Sequence, residues 1–488
     1  MRQRPQREIP MTDDSAIGVR LAQVVAAQKA AYRNQGAPSA RQREERIDRL
    51  IDILRRNEAP LLEALQADFG GARGETTSLF GDFAGSVIPL KAARRGIRKW
   101  MRPRSARPEL PFGLLGARLR IELEPLGVVG VLGTWNFPLN TLLAPLGDAF
   151  AAGNSCIVKP SEVTPHTAQL LCQLINAAFD EQECFALSGG PEVARLLCAQ
   201  PLDHLVFTGS TATGRRVAEQ CARQLTPVTL ELGGKSPVLL TQSARLDSAA
   251  ERIAFAKILN SGQLCIAPDY CLVPASQLQA FSAALVAAFE KMLPSIAGNL
   301  EYTAIVNRHH YERLQALLAQ ARALGLEIIE INPGRERLYD RPPFRIAPTL
   351  VIAPPEDSAL MSEEIFGPIL PIIPYERLEE AIAYVQRRPA PLAFYPFGRD
   401  TAEIERLCAA IRCGGISIND CAAHVRNSAA PFGGVGASGQ GALKGFHGFR
   451  NFSHERTVYR QTPLRLEKIL FPPWGDRIKA MLRKVLHG

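Results

Sequence analysis

Leu126-Gly-Val-Val-Gly-Val-Leu132 is an apolar run of strand length, and it ends in the turn Gly133-Thr-Trp-Asn-Phe-Pro138 before a helical segment. The same order returns twice. Ser155-Cys-Ile-Val158 leads into Lys159-Pro-Ser-Glu162, and His204-Leu-Val-Phe207 leads into Thr208-Gly-Ser-Thr211. Strand, turn and helix repeated this way predict a parallel sheet in an α/β domain, with ligands at the carboxyl ends of the strands. Toward the N-terminus, residues 17–69 carry a helical pattern, with Arg46, Leu50, Ile53 and Leu54 on one stripe, until Gly70-Gly71 stops it. Residues 103–111 are rich in proline, and Ala117-Arg-Leu-Arg-Ile-Glu-Leu-Glu124 then alternates strictly, which predicts a half-exposed antiparallel strand serving as an arm. Toward the C-terminus a second α/β stretch runs from about residue 231 to 415, with a strong helix over 311–324. The proline in Leu392-Ala-Phe-Tyr-Pro-Phe397 predicts an edge strand or a bulge.

The 488 residues suit about three domains. With 46% hydrophobic and 22% charged residues, the composition excludes a disordered chain and a disulfide-stapled miniature. No apolar run reaches the roughly 18 residues of a membrane-spanning helix. Residues 1–14 mix Arg, Gln, Pro and acids without the apolar centre of a secretory signal. The net charge of +9 is mild for this length. Its densest cluster, from Lys91 to Arg107, lacks the interleaved aromatics of a nucleic-acid surface and reads as a solvated helix face ending at Pro103. Ten cysteines form no C-x-x-C pair and no zinc spacing with the histidines, so no metal is expected and a reducing, cytoplasmic setting is.

Two glycine patterns invite over-reading. Gly434-Val-Gly-Ala-Ser-Gly439 matches a dinucleotide fingerprint in letters but lacks the strand before it and the helix within it, so it reads as a loop. Gly209-Ser-Thr-Ala-Thr-Gly214 does follow a strand, yet Arg215-Arg216 stand where triphosphate chemistry needs Lys and then Ser or Thr. A glycine-opened helix N-terminus remains, which is a seat for a pyrophosphate. Cys265, Glu231 and Asn136 each have an ordinary reading when taken singly: a core cysteine, a solvated turn acid and a helix cap.

Taken together, Thr134-Trp-Asn-Phe-Pro-Leu139, Lys159-Pro-Ser-Glu162, Phe207-Thr-Gly-Ser-Thr211, Glu231-Leu-Gly-Gly-Lys235, Gly262-Gln-Leu-Cys265, Glu364-Ile-Phe-Gly-Pro368 and Pro431-Phe-Gly-Gly434 resemble the aldehyde dehydrogenase superfamily in order and spacing, over residues 21–458. Ile266-Ala-Pro-Asp-Tyr270, Pro431-Phe-Gly-Gly-Val-Gly436 and Phe452-Ser-His454 resemble its class 3 branch. The Pro472-Pro-Trp-Gly475 tail is similar to bacterial coniferyl aldehyde dehydrogenases. The segment 441–448 departs from that branch, being longer than its usual Gly-x-Tyr-His-Gly. It lies where the resemblance places the substrate entrance.

The resemblance implies Cys265 as the thiolate nucleophile, forming a thiohemiacetal whose oxyanion is held by the Asn136 side-chain amide and the Cys265 N–H. Hydride transfer to the nicotinamide leaves a thioester, and Glu231 activates the water that hydrolyses it. It further implies Lys159 and Glu162 at the adenosine ribose, Gly209, Ser210 and Gly214 at the pyrophosphate, and Glu364 at the nicotinamide ribose. Trp135 and Phe366 complete the cofactor site, Phe366 beside the nicotinamide. The implied cofactor is NAD in preference to NADP, because a carboxylate such as Glu162 accepts from a ribose 2′-hydroxyl and repels a 2′-phosphate, while the class 3 resemblance also admits NADP.

The expected architecture is a Rossmann-like, doubly wound cofactor domain (1–107 and 126–230), an α/β catalytic domain (231–415), a small β oligomerisation arm (108–125 and 416–460) and a tail (461–488). The partners expected are an aldehyde, aromatic or cinnamyl, and a second copy in a homodimer. Nucleic acid is not among them. A medium- or long-chain fatty aldehyde is the alternative substrate, and a non-redox cysteine hydrolase is the alternative enzyme. The amphipathic stretch 476–486 is expected to pack on its own protein or a partner subunit rather than lie on a membrane.

Overall fold

The three apolar runs become neighbouring strands. In a computed structural model of the chain, which describes residues 14–109, 112–114, 116–462, 468 and 471–487, Val128–Leu132 is buried throughout and lies parallel between Ser155–Lys159 and His204–Gly209. Cys184–Ala186 extends one side in parallel. Val228–Leu232 extends the other, and the antiparallel Gly439–Gln440 completes six strands. The chain builds outward from Val128–Leu132 in one direction and resumes on its other side at His204. The strand order therefore reverses between these two strands, where a crevice opens at their carboxyl ends. Helix Asn140–Ala152 is buried between this sheet and helix Gly85–Trp100, through Leu142, Leu143, Leu146 and Phe150. It carries one acid, Asp148.

A second, seven-stranded sheet contains Ile328–Glu330, Thr349–Ile352, Ile369–Tyr375, Tyr270–Pro274, Pro237–Leu240, Ala393–Phe397 and Gly415–Ile416, in that order. All pairs are parallel except the first. The helix expected over 311–324 forms as Arg308–Ala323. The strand containing Pro396 is neither an edge nor bulged. It is the penultimate strand, and its outer neighbour is two residues long, pairing with Ala393 and Phe394 and ending before Pro396. Backbone bonding continues past that short strand, where the Asn419 N–H donates to the Pro396 carbonyl (2.9 Å), so the proline keeps its acceptor and lacks only its donor.

The division drawn at residues 230 and 231 falls inside strand Val228–Leu232, and residues 439–440 of the expected arm return to pair with that strand. The arm itself is a three-stranded antiparallel sheet. Arg118–Pro125 lies between Arg104–Ala106 and Ser453–Arg460, in register from Arg118↔Arg460 to Pro125↔Ser453. The basic run is a helix face as read, its Arg94 and Arg98 paired to Asp48 and Glu44. Helix Asp476–His487 buries no residue, so packing against its own chain is not what it does among the described residues. Residues 1–13 lie outside them. No described helix is long and apolar enough to cross a membrane.

Candidate active site

Cys265 follows a short tight helix, Leu259–Gly262, in which Asn260, Ser261 and Gly262 have φ of 50°, 52° and 71°. Two consecutive L residues in the left-handed region are costly, on the order of 1–3 kcal/mol each, and persist where surroundings dictate them. Here the surroundings do. Gln263 Nε2 donates to the carbonyls of Asn260 (2.9 Å) and Ala304 (3.0 Å), and its Oε1 accepts from the Val306 N–H (3.1 Å). Ser261 Oγ donates to the Thr303 carbonyl. A Cβ at Gly262 would stand 2.4 Å from the Gly367 carbonyl oxygen, so no larger residue fits. The thiol of Cys265 is thereby presented from a pinned loop. Burial, with Glu364 and Glu231 nearby, pushes it up to about 12.

Asn136, 4% exposed, lies in the turn after Val128–Leu132. Its Nδ2 donates to the Gln263 carbonyl (3.1 Å), which ties its amide to the cysteine loop, and its Oδ1 is buried without a hydrogen-bond partner among the described residues. The turn is held from behind by a buried ion pair that sequence reasoning missed. Arg73 donates to Asp82 (2.6 Å), to the Asn136 carbonyl (3.0 Å) and to Asn260 Oδ1 (3.3 Å), while Asp82 accepts from the Leu139 N–H (3.0 Å). One guanidinium therefore orients both the asparagine turn and the cysteine loop. The sole local hint is an arginine set between Gly70-Gly71 and Gly74.

Glu231 is a strand residue, 5% exposed, rather than the turn acid that its Gly-Gly neighbours suggested. Neither carboxylate oxygen has a hydrogen-bond partner among the described residues, and burial raises the carboxyl well above the usual range, opposed by Lys444. The two following glycines make room for another acid. A Cβ at Gly233 would stand 2.0 Å from Glu364 Oε2, and burial with Asp269 nearby pushes Glu364 up to about 8. Lys235 fastens that segment to the cysteine loop. It donates to Asp269 and to the carbonyls of Leu360 (2.7 Å) and Glu363 (2.8 Å), and Asp269 accepts from the Ile365 N–H (2.8 Å). Phe366, with φ 50°, meets Trp135 edge-on at 5.2 Å.

One cavity of about 1280 Å³ brings together Trp135, Asn136, Gly209, Ser210, Glu231, Cys265, Glu364 and Phe366. Its far wall is the opening of helix Thr211–Ala222, where Ser210 caps the Thr213 N–H and Arg215 adds a charge. A helix N-terminus beside an arginine suits a pyrophosphate. Three predicted residues are not in the cavity wall. Gly214 faces the sheet, where a Cβ would stand 2.5 Å from Leu232, so its part is close helix–sheet packing. Lys159 closes the neighbouring strand and Glu162 lies just past it, and the two pair at 2.7 Å, a polar ledge of the kind that sugar hydroxyls bind. No cluster of metal-ligand type occurs among the described residues. The arrangement places a thiol, an amide donor and a carboxyl group around one space, with the opening of a helix in its wall.

A model of the aldehyde dehydrogenase family matches residues 12–458. A probable coniferyl aldehyde dehydrogenase of Caulobacter vibrioides is 44% identical over 94% of this chain and 95% of its own length. A coniferyl aldehyde dehydrogenase of Pseudomonas sp. strain HR199 is 43% identical, with 94% of each chain covered. A dimeric, NADP-preferring aldehyde dehydrogenase of Rattus norvegicus is 36% identical over 88% of this chain and 92% of its own. Among solved structures, the substrate-bound state of AldH from Staphylococcus aureus has a TM-score of 0.88 at 35% identity, covering 95% and 99% of the two chains. A Mycobacterium tuberculosis aldehyde dehydrogenase complexed with NAD+ has 0.81 at 27%, covering 93% and 92%.

Proposed function

This chain belongs to the aldehyde dehydrogenase family, and on that premise we propose that it oxidises an aromatic or cinnamyl aldehyde, such as coniferyl aldehyde, to the carboxylic acid with NAD. The observation that carries the reading is the convergence of Cys265, Asn136 and Glu231 on a single cavity reached by a helix N-terminus. The thiol proton of Cys265 passes to solvent as the sulfur bonds to the aldehyde carbon, the C=O π pair moves to oxygen, and the amide of Asn136 with the Cys265 N–H stabilises the oxygen that becomes negative. The cofactor is held by the opening of helix Thr211–Ala222, by Lys159 and Glu162, and by Trp135, Glu364 and Phe366. When bound, its nicotinamide supplies the two-electron acceptor that converts the adduct on sulfur to a thioester. Water then bonds to the acyl carbon as one of its protons passes to Glu231. The C–S bond breaks, sulfur leaves as thiolate, and the product leaves as the acid.

Preference for NAD over NADP follows from Glu162, whose half-exposed carboxylate accepts from a 2′-hydroxyl and repels a 2′-phosphate. The homodimer is supported by the arm, whose strand Ser453–Arg460 ends its sheet with an outer edge left for pairing among the described residues.

The test is a comparison of Glu231→Gln and Cys265→Ala with the wild type, using NAD and a cinnamyl aldehyde. Glu231→Gln should give a burst approaching one reduced cofactor per site and then slow turnover, since general-base help is worth on the order of 10²–10⁴ in the assisted step. Cys265→Ala should give neither phase. Steady turnover of Glu231→Gln equal to wild type overturns the base assignment, and faster turnover of long aliphatic aldehydes overturns the substrate class.

A further inference from the structure

The wall of the cavity beside Glu231 holds a cation and an acid that this chemistry does not use. Lys444 heads helix Gly445–Asn451 with φ 77° and ψ 131°, a conformation that side-chain-bearing residues rarely adopt. Three contacts hold it there. Its N–H donates to Asp148 Oδ2 (2.8 Å), its Nζ donates to the Val425 carbonyl, and its Nζ stands 5.1 Å from the Phe432 ring centroid. Asp148 is the one acid of a largely buried helix, and Gly448 makes room for it, since a Cβ there would stand 2.1 Å from Asp148 Oδ2. Lys444, Asp148, Glu231 and Cys265 all line the same cavity.

We propose that Lys444 is a positioning residue for thioester hydrolysis: its ammonium, held at the Val425 carbonyl while Asp148 pins its backbone N–H, keeps the buried Glu231 carboxylate ionised so that it can take the proton of the attacking water.

This rests on Glu231 being the base. The physical problem it solves is that two buried groups share one proton. Desolvation disfavours both charges, pushing Glu231 well up and Lys444 down to about 8, and by itself would leave an amine beside a carboxylic acid, which is no base. Attraction between the two opposes that. So does the carbonyl of Val425, which only an N–H can satisfy, and so does Asp148 in its ionised form, burial having pushed Asp148 itself up to about 7. The titratable groups facing Lys444 are Asp148, Glu231, the Cys265 thiol and His424, the last held neutral near neutral pH because burial lowers it to about 4. Lys444 is the cation that acts on Glu231.

The experiment follows the pH dependence of steady turnover and of the burst, with NAD and a cinnamyl aldehyde, in wild type, Lys444→Met, Lys444→Arg, Asp148→Asn and Glu231→Gln. In Lys444→Met the burst should persist while the acidic limb of steady turnover moves up by about one pH unit or more, with roughly tenfold loss at pH 7 for each unit. Lys444→Arg should restore the limb, and Asp148→Asn should move it upward, because the ammonium loses its anion. An unmoved limb in Lys444→Met overturns the proposal. Should that variant not fold, an unmoved limb in Asp148→Asn, or a displaced one in Lys444→Arg, overturns it equally. If Glu231→Gln alone accumulates the burst, the base assignment stands and the lysine proposal falls. If Glu231→Gln turns over like wild type, the base assignment falls first.

Discussion

Cys265 shows how much a side chain's chemistry depends on what surrounds it. Its thiol is pushed up to about 12 by burial, so near neutral pH the sulfur is protonated in the absence of ligands. Alkylation of Cys265 by iodoacetamide should therefore rise about tenfold per pH unit from 7 to 9 with no plateau. A plateau near 8.5, read by mass spectrometry, would mean an ordinary exposed thiol. Asn136→Ala should lower kcat on the order of 10²–10³-fold, as loss of an oxyanion donor does, while cofactor binding by fluorescence titration stays unchanged. Arg73 makes a different contribution. Both it and Asp82 are fully buried, and Arg73→Met leaves an acid without its counter-charge, a loss of about 3–5 kcal/mol in denaturant unfolding. A smaller loss accompanied by intact kcat would show that the ion pair does not organise the turn.

At the scale of elements, the segments differ in how much they owe to their neighbours. Val128–Leu132 is apolar at every position because helices cover both faces of a parallel sheet, and that pattern is visible in one dimension. Arg118–Pro125 alternates because one face is partly wet, and its partner Ser453–Arg460 lies more than 300 residues away, which no local pattern could announce. The ion pairs of Arg456 with Glu122 and Glu124 brace that ladder at the surface, where exposure and screening leave each of them worth little. The last helix is amphipathic in sequence yet buries nothing on its own chain. Deleting 476–487 should thus leave the melting temperature within about 1 °C of the full chain in scanning calorimetry, there being no buried area to lose. A drop of several degrees would mean that the helix packs somewhere.

For the molecule as a whole, the cavity draws its lining from both sheets, whose strands come from most of the chain. NAD at about 100 times its Kd should stabilise the protein by about 2.7 kcal/mol, and NADP at the same concentration by less, because of Glu162. Equal shifts in melting temperature would remove that carboxylate from the argument. Light scattering should give about twice the 53.3 kDa chain mass, and a value near one chain would leave the arm without a partner. The sequence by itself determined the strand–turn–helix order, the helix N-terminus at Ser210 and the identity of the residues on the chemical turns, because each depends on period, punctuation and residue type within a few positions. It also carried Cys265, Asn136 and Glu231 as a set through their resemblance to a family. Tertiary structure alone decided that Glu231 is a buried strand acid, that Gly214 packs on the sheet and that Pro396 sits in an interior strand. Only the fold, too, brought Arg73, Asp148 and Lys444 to the site. These depend on desolvation and on contacts between residues far apart in the chain, and both arise only when the sheets close around them.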